Sequence, residues 1–326
     1  VTQSEPAQGR VWIISDGKAG HLAMTTGVAA VMGLAPRIIE VAPSPLLRWL
    51  APRGPAPADA VATLAEAESA WPDYVFAAGR LTIPYLRAIR RRTGRRSFTV
   101  AFMDPRVGDA ADLIWLPEHD ARRGAGVITT VTSPHGFSLE RLAALRAQMP
   151  EQVAALPTPR IAVLLGGPGA GFSFSPCSTQ RLAGALRALA RLGASFLITP
   201  SRRTTPALIE AVIAATADAP RILWDGTGDN PYPHFLACAD RFVVTADSVN
   251  MAGEACATGR PVHVFMPEGG RAKFHAFHAA LRKAGAARLL PEHPASLETW
   301  QYTPIDAARQ IAGEIAARAQ ARLASA

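Results

Sequence analysis

Residues 241–265 read RFVVTADSVNMAGEACATGRPVHVF. Phe242, Val243 and Val244 form an apolar run suited to a buried strand, which ends at Thr245 and Ala246. Asp247 or Ser248 caps a helix, Gly259 ends it, and Pro261 opens the next strand. Strand, turn, helix, strand is the repeating unit of a parallel α/β sheet. Unpaired N–H groups around Ser248, Asn250 and Met251 suit a diphosphate, because a helix start offers donors and positive dipole charge. Glu254 lies about two turns in, among Ala252, Gly253, Ala255 and Cys256. A carboxylate with small apolar neighbours needs a partner, and two ribose hydroxyls suit it; the plainer alternative is a surface glutamate.

The same rhythm extends outward in both directions. Strands are expected at 11–15, 37–41, 74–78, 97–102, 112–116 and 127–130, then at 160–165, 195–199, 221–224, 241–245 and 261–265. Helices are expected at about 21–33, 58–69, 82–92 and 138–148, then at 178–192, 206–216, 231–238, 248–257 and 270–284. Pro150, Pro157 and Pro159 mark 149–160 as the natural linker, and a last amphipathic helix falls at about 304–323.

Composition narrows the function classes. The 326 residues are 49% hydrophobic and 18% charged, enough apolar side chain for sizeable cores and too little charge for global disorder. Net charge is +8, and Lys18, Lys273 and Lys283 are the only lysines. That arginine bias fits GC-rich coding, and arginine forks also suit phosphates or anionic lipid. Cys177, Cys238 and Cys256 form no metal-ligand or disulfide spacing, so a reducing compartment is expected. Residues 1–10 carry no hydrophobic signal core and no apolar run reaches membrane-spanning length, so a cytoplasmic location is expected.

Each half begins with a strand that empties into a glycine-rich turn, Asp16-Gly17-Lys18-Ala19-Gly20-His21 and Gly166-Gly167-Pro168-Gly169-Ala170-Gly171. Neither fits the P-loop or dinucleotide fingerprint, which argues against NTPase and nicotinamide chemistry. Ligands of open parallel sheets bind beyond the strand ends, so two facing sheets would share one cleft lined by both turns. His21, at a helix start, is disfavoured as a cation and suited to accept a proton; simple capping is the alternative. Ser201, Arg202 and Arg203 precede Pro206 at a helix start, a metal-free phosphate pattern or a solvated turn. Asp225 follows a strand beside Trp224 and could border a base. Asp104, in Met103-Asp104-Pro105-Arg106, could orient a histidine or act as a base. Six arginines between Arg87 and Arg96 make a solvated helix end or a contact for an anionic membrane; no nucleic-acid module accompanies them.

The segments SDGKAGH (15–21), MDPR (103–106), TPSRRTTP (199–206), WDGTGDNPY (224–232) and the 245–265 stretch resemble the mitochondrial-fission family named for the elongated-mitochondria phenotype of plants. The resemblance covers about residues 10–285. That family is in turn similar to GT-B glycosyltransferases, including the peptidoglycan enzyme that adds N-acetylglucosamine to a lipid carrier. It departs from that enzyme in having SDGKAGH where GGTGGH is usual, so no acceptor is carried across.

The resemblance implies two Rossmann-like domains in a GT-B arrangement, 1–150 and 151–303, with a C-terminal helix of about 304–326 crossing back to the first. It implies metal-independent transfer from a nucleotide-diphosphate sugar, with no cofactor; a histidine base favours inversion, and a cell-envelope or lipid-linked acceptor is the expectation set beside it. His21, Asp16 and Asp104 are the candidate catalytic residues. Lys18, Gly20, Gly166, Gly167, Ser201, Arg202, Arg203, Asp225, Ser248, Asn250, Met251 and Glu254 are the candidate binding residues. No DxD pair stands at a strand end to hold a metal. A non-catalytic scaffold for division or envelope proteins and a GT-B-type nucleotide-sugar epimerase are the alternatives. The arginine run adds the expectation of a peripheral place on the inner face of a bacterial cell membrane.

Overall fold

The computed structural model describes residues 9–57 and 71–324, so the helix expected at 58–69 lies outside the described residues. The chain falls into two compact units, Val1–Gly136 with Asp306–Ala326, and Phe137–Ile305.

In the first unit β1 (Val11–Ser15) leads into α1 (Ala19–Val31) and β2 (Pro36–Glu40). There follow α2 (Pro45–Leu50), β3 (Tyr74–Ala78), α3 (Ile83–Arg92), β4 (Phe98–Phe102), β5 (Leu113–Pro117) and β6 (Val127–Thr130). The strands form one sheet in the order β2-β1-β3-β4-β5-β6, and every pairing is parallel. Alternate side chains of β1 serve opposite faces. Val11 and Ile13 join Val28, Phe76 and Trp115, whereas Trp12 and Ile14 join Val75, Leu86 and Ile89. Burial on both faces explains the apolar runs of β1, β3, β4 and β5, whereas the edge strands β2 and β6 are half-exposed.

The second unit opens with α4 (Leu139–Ala147) and α5 (Glu151–Ala154), the latter inside the proline-marked stretch. Next come β7 (Arg160–Leu165), β8 (Phe172–Ser173), α6 (Pro176–Arg191), β9 (Ser195–Pro200), α7 (Pro206–Ala215) and β10 (Arg221–Leu223). Then follow α8 (Tyr232–Cys238), β11 (Arg241–Thr245), α9 (Val249–Cys256), β12 (Val262–Phe265), β13 (Glu268–Gly269), α10 (Ala272–Lys283) and β14 (Ala287–Leu289). The parallel order is β10-β9-β7-β11-β12-β14. α11 (Ala307–Ala324) then returns to the first unit, where Ala308, Ile311, Ala312, Ile315 and Ala319 enter its core at helical spacing.

Every expected strand forms within one residue of its expected bounds. Strand order reverses between β1 and β3 in one sheet and between β7 and β11 in the other. Such switch points open a crevice at the carboxyl ends of the strands, where ligands of this class bind.

Candidate functional site

At the first switch point Asp16 follows β1 and His21 lies in the first turn of α1. His21 Nδ1 is 2.9 Å from Asp16 Oδ1, and the Lys18 ammonium is 3.2 Å from Oδ2. The Asp16 side chain is 1% exposed, against 17% for His21 and 67% for Lys18. Burial pushes the Asp16 carboxyl up, but hydrogen bonds and charge from His21 and Lys18 outweigh it and hold the group below its ordinary value. With Nδ1–H donating to this carboxylate, Nε2 keeps its lone pair and can take a proton. Gly79, the residue after β3, backs the pair: at φ +90° a Cβ there would stand 2.5 Å from His21 Cε1 and 2.9 Å from Asp16 Oδ2. Gly79 was not singled out from sequence, although its place directly after a strand matches that of Gly166. Gly20 faces open space and is under no steric demand.

Asp104 does not orient His21, whose carboxylate partner is Asp16. It accepts from Arg122 at 2.7 Å and from the Arg106 N–H at 2.9 Å. Burial raises its carboxyl, and these donors more than reverse that. In the arginine run, Arg90 is buried on Asp109 and Asp112, and Arg87 reaches the Arg53 carbonyl at 3.1 Å. Arg91 and Arg92 remain exposed with no protein partner among the described residues.

At the second switch point three loops meet on Asp247, whose side chain is 0% exposed. Its carboxylate accepts from the Gly167 N–H at 2.9 Å and from the Thr245 hydroxyl at 2.8 Å, and pairs with Arg203 at 2.8 Å. Thr245 Oγ1 in turn accepts from the Gly166 N–H at 2.8 Å. The amides of Gly166 and Gly167, expected to hold the donor, are therefore committed within the protein. Their lack of side chains has a plainer cause. A Cβ at Gly166 would collide with the Asp247 carboxylate, and one at Gly167 with the Arg203 carbonyl. The sequence offers Asp247 only as a possible helix cap; its central position follows from tertiary approach. The rest of the glycine turn is anchored too. β8 pairs antiparallel with β13, and Gly171 and Ala170 accept from the Gly270 and Arg271 amides at 2.8 and 3.1 Å.

Among the residues of 199–206, Arg203 is held by Asp247, and Ser201 Oγ accepts from the Arg203 N–H at 3.2 Å. Arg202 is exposed with no protein partner among the described residues. Ser248 stands at the N-cap of α9 but makes no side-chain capping bond, so its hydroxyl stays available beside the first-turn amides. Asn250 is exposed and Met251 half-buried on that first turn. Glu254 does have a partner, the Tyr232 hydroxyl, which donates to Oε2. Burial pushes the Glu254 carboxyl up to about 7 despite the Tyr232 bond, which pulls the other way. Asp225 closes its own turn, accepting from the Thr227 N–H and hydroxyl at 2.9 and 2.7 Å. No described helix is long and apolar enough to cross a membrane.

A family model described as mitochondrial fission ELM1 matches residues 19–319. Mitochondrial fission protein ELM1 of Arabidopsis thaliana is 29% identical over 276 residues, 76% of this chain and 65% of that protein. The chain thus spans less than two thirds of that relative's length. The UDP-GlcNAc 2-epimerase of Neisseria meningitidis, solved with UDP-GlcNAc bound, is 12% identical at TM-score 0.54, over 94% of this chain and 99% of that one. MurG of Acinetobacter baumannii is 14% identical at TM-score 0.49, over 95% and 94%. At the epimerase's identity the likeness establishes the fold, two Rossmann-like units of the GT-B kind, and no reaction.

Proposed function

The chain belongs to the mitochondrial fission ELM1 family, and from that premise we propose that it is a metal-independent GT-B-type glycosyltransferase. Its donor is a nucleotide-diphosphate sugar and its acceptor a cell-envelope or lipid-linked hydroxyl. The observation that carries the reading is the start of α9. An uncommitted Ser248 hydroxyl and unpaired amides stand two turns ahead of the half-buried Glu254 carboxylate. Diphosphate on the first and ribose hydroxyls on the second fit that spacing. Arg202 adds a free guanidinium, and Asn250 and Met251 border the same turn. In the reaction His21 Nε2 takes the acceptor's proton while Asp16 steadies the resulting imidazolium. The acceptor oxygen bonds to the anomeric carbon, the bond from that carbon to the diphosphate breaks, and the configuration inverts. Arg202 and the helix-start amides stabilise the departing charge. Arg91 and Arg92 are the arginines left to meet an anionic membrane, on the inner face of the cell membrane.

Calorimetry with UDP, ADP and GDP at millimolar concentration, with chelator present, tests the donor half. Binding is expected for one base, and Glu254→Ala weakens it. No binding of any, with Glu254→Ala silent, removes the basis of the proposal. The commitment of the Gly166 and Gly167 amides favours a second reading, a non-catalytic scaffold. That reading expects no turnover of any nucleotide sugar and tolerance of His21→Ala. Product analysis without an acceptor separates a third possibility, epimerisation of the donor.

A further inference from the structure

We infer that Asp247 is a resident anion: its carboxylate fills a phosphate-like site built by the Gly167 amide, the Thr245 hydroxyl and the Arg203 guanidinium. All three donors converge on one carboxylate within 2.9 Å. They lie where β7 and β11 diverge, the position at which an open parallel sheet ordinarily receives a ligand. An amide beside a glycine turn, a hydroxyl and an arginine fork form the donor set that suits a phosphate oxygen. Here the chain supplies the acceptor itself, with a side chain that is fully buried.

The neighbouring packing keeps the carboxylate in place. Gly166 has room for nothing larger than hydrogen because Asp247 occupies the space. The Thr204 hydroxyl donates to the Leu165 carbonyl at 3.0 Å and accepts from the Ser201 N–H at 2.8 Å, fixing the loop that carries Arg203. Behind the strand end, the buried His278 ring lies with Nε2 2.7 Å from the Ala246 carbonyl, one residue before Asp247. Swinging Asp247 out would leave the Gly167 amide and the Thr245 hydroxyl without their buried acceptor, which is costly away from water.

Two consequences follow. Arg203 is a positioning residue, and Arg202 carries the cationic role toward ligand. A diphosphate is held one step outward, at Ser248 and the first turn of α9, in the field of a negative charge that weakens it. This second consequence rests on the donor reading above; the resident anion itself does not.

Anion rescue is the test. Asp247→Ala empties the site, and its melting temperature is expected to fall by roughly 6–12 °C, as for loss of a buried carboxylate that leaves an amide and a hydroxyl without their acceptor. Formate at about 50 mM should recover half or more of that loss through mass action on the native state. Chloride at equal ionic strength should not, and the wild-type chain should shift by less than about 1 °C. A variant as stable as wild type, or one that formate leaves unmoved, overturns the inference. Should Asp247→Ala fail to fold, Asp247→Asn keeps the shape and removes the charge. One of its two amide atoms then turns N–H toward donors that need an acceptor, so its melting temperature is expected to fall by several degrees, and a variant as stable as wild type overturns the inference. A rise of about tenfold in its affinity for inorganic pyrophosphate, read by calorimetry and of the order set by one like charge at several ångströms, tests the second consequence. Formate rescue in a chain that binds no nucleotide would leave the resident anion standing and the donor reading refuted.

Discussion

The two switch points are built from the same parts and put them to different use. Between β1 and β3 a buried aspartate faces Gly79; between β7 and β11 a buried aspartate faces Gly166. Asp16 holds a histidine through one ring nitrogen and leaves the other free. Asp247 holds an arginine, permanently charged, together with a threonine hydroxyl and a backbone amide. The first arrangement presents chemistry to solvent, and the second consumes its donors internally. A buried carboxylate is thus no sign of a reaction by itself; what it holds, and whether that partner keeps a free atom, decides the matter.

The sharpest way to break this contrast is His21→Ala. Turnover of a nucleotide sugar should fall about 10²–10⁴-fold, the usual worth of a positioned base, with nucleotide affinity unchanged. Asp16→Asn should fall less, since Nε2 survives but its orientation and charge support do not. Unchanged turnover in His21→Ala would make the first switch point as structural as the second.

Stability offers the next comparison. Gly167→Ala drives a Cβ into a backbone carbonyl, which cannot step aside, and should cost about 3 kcal/mol or more by denaturant titration. Gly79→Ala meets a movable ring at positive φ, so a smaller loss of about 1–3 kcal/mol is expected, with His21 displaced. Gly79→Ala should therefore harm turnover more than stability, and Gly167→Ala the reverse. A Gly167→Ala chain as stable as wild type would mean that the three loops are not locked on Asp247.

Glu254 gives a pH signature to the second unit. Its carboxyl rises from 4.5 to about 7 through burial, so the free protein favours the neutral acid. That contribution to stability is complete below pH 4.5 and is lost as pH rises through about 7. A ribose diol that donates to the carboxylate reverses the preference, so nucleotide affinity should increase about tenfold from pH 6 to pH 8. Calorimetry at the two values checks it, and Glu254→Gln should flatten the profile. A flat wild-type profile places the ribose elsewhere.

The central strands were legible because both their faces are covered, which turns a strand into an apolar run that needs no partner to be recognised; the half-exposed edges β2, β6 and β10 were legible by their place in the alternation. The turns that follow them were legible as glycine- and hydroxyl-rich segments, and the Asp16–His21 pair lies within one of them. Gly79 and the role of Asp247 were not, because each is defined by what approaches it from another strand. The β8–β13 pair is two residues a side, and β14 carries Arg288 at its centre, so neither has a readable period. The glycine turn after β7 reads as a phosphate loop for the same reason: its glycines mark close approach, and sequence alone does not say whether a ligand or Asp247 comes close.

The smallest expected effect separates the two cations. Lys18 and Arg203 each stand beside a buried aspartate, but Lys18 is 67% exposed and Arg203 44%. The Lys18 ammonium sits 3.2 Å from Asp16 Oδ2 in solvent that screens it. Lys18→Met should then cost no more than about 1 kcal/mol, the range of exposed pairs, and the loss should shrink in high salt. Arg203→Met strands a fully buried carboxylate and should cost about 3–5 kcal/mol with little salt dependence. If the two losses prove equal, the aspartates hold their partners alike, and the free Nε2 of His21 is all that distinguishes the two crevices.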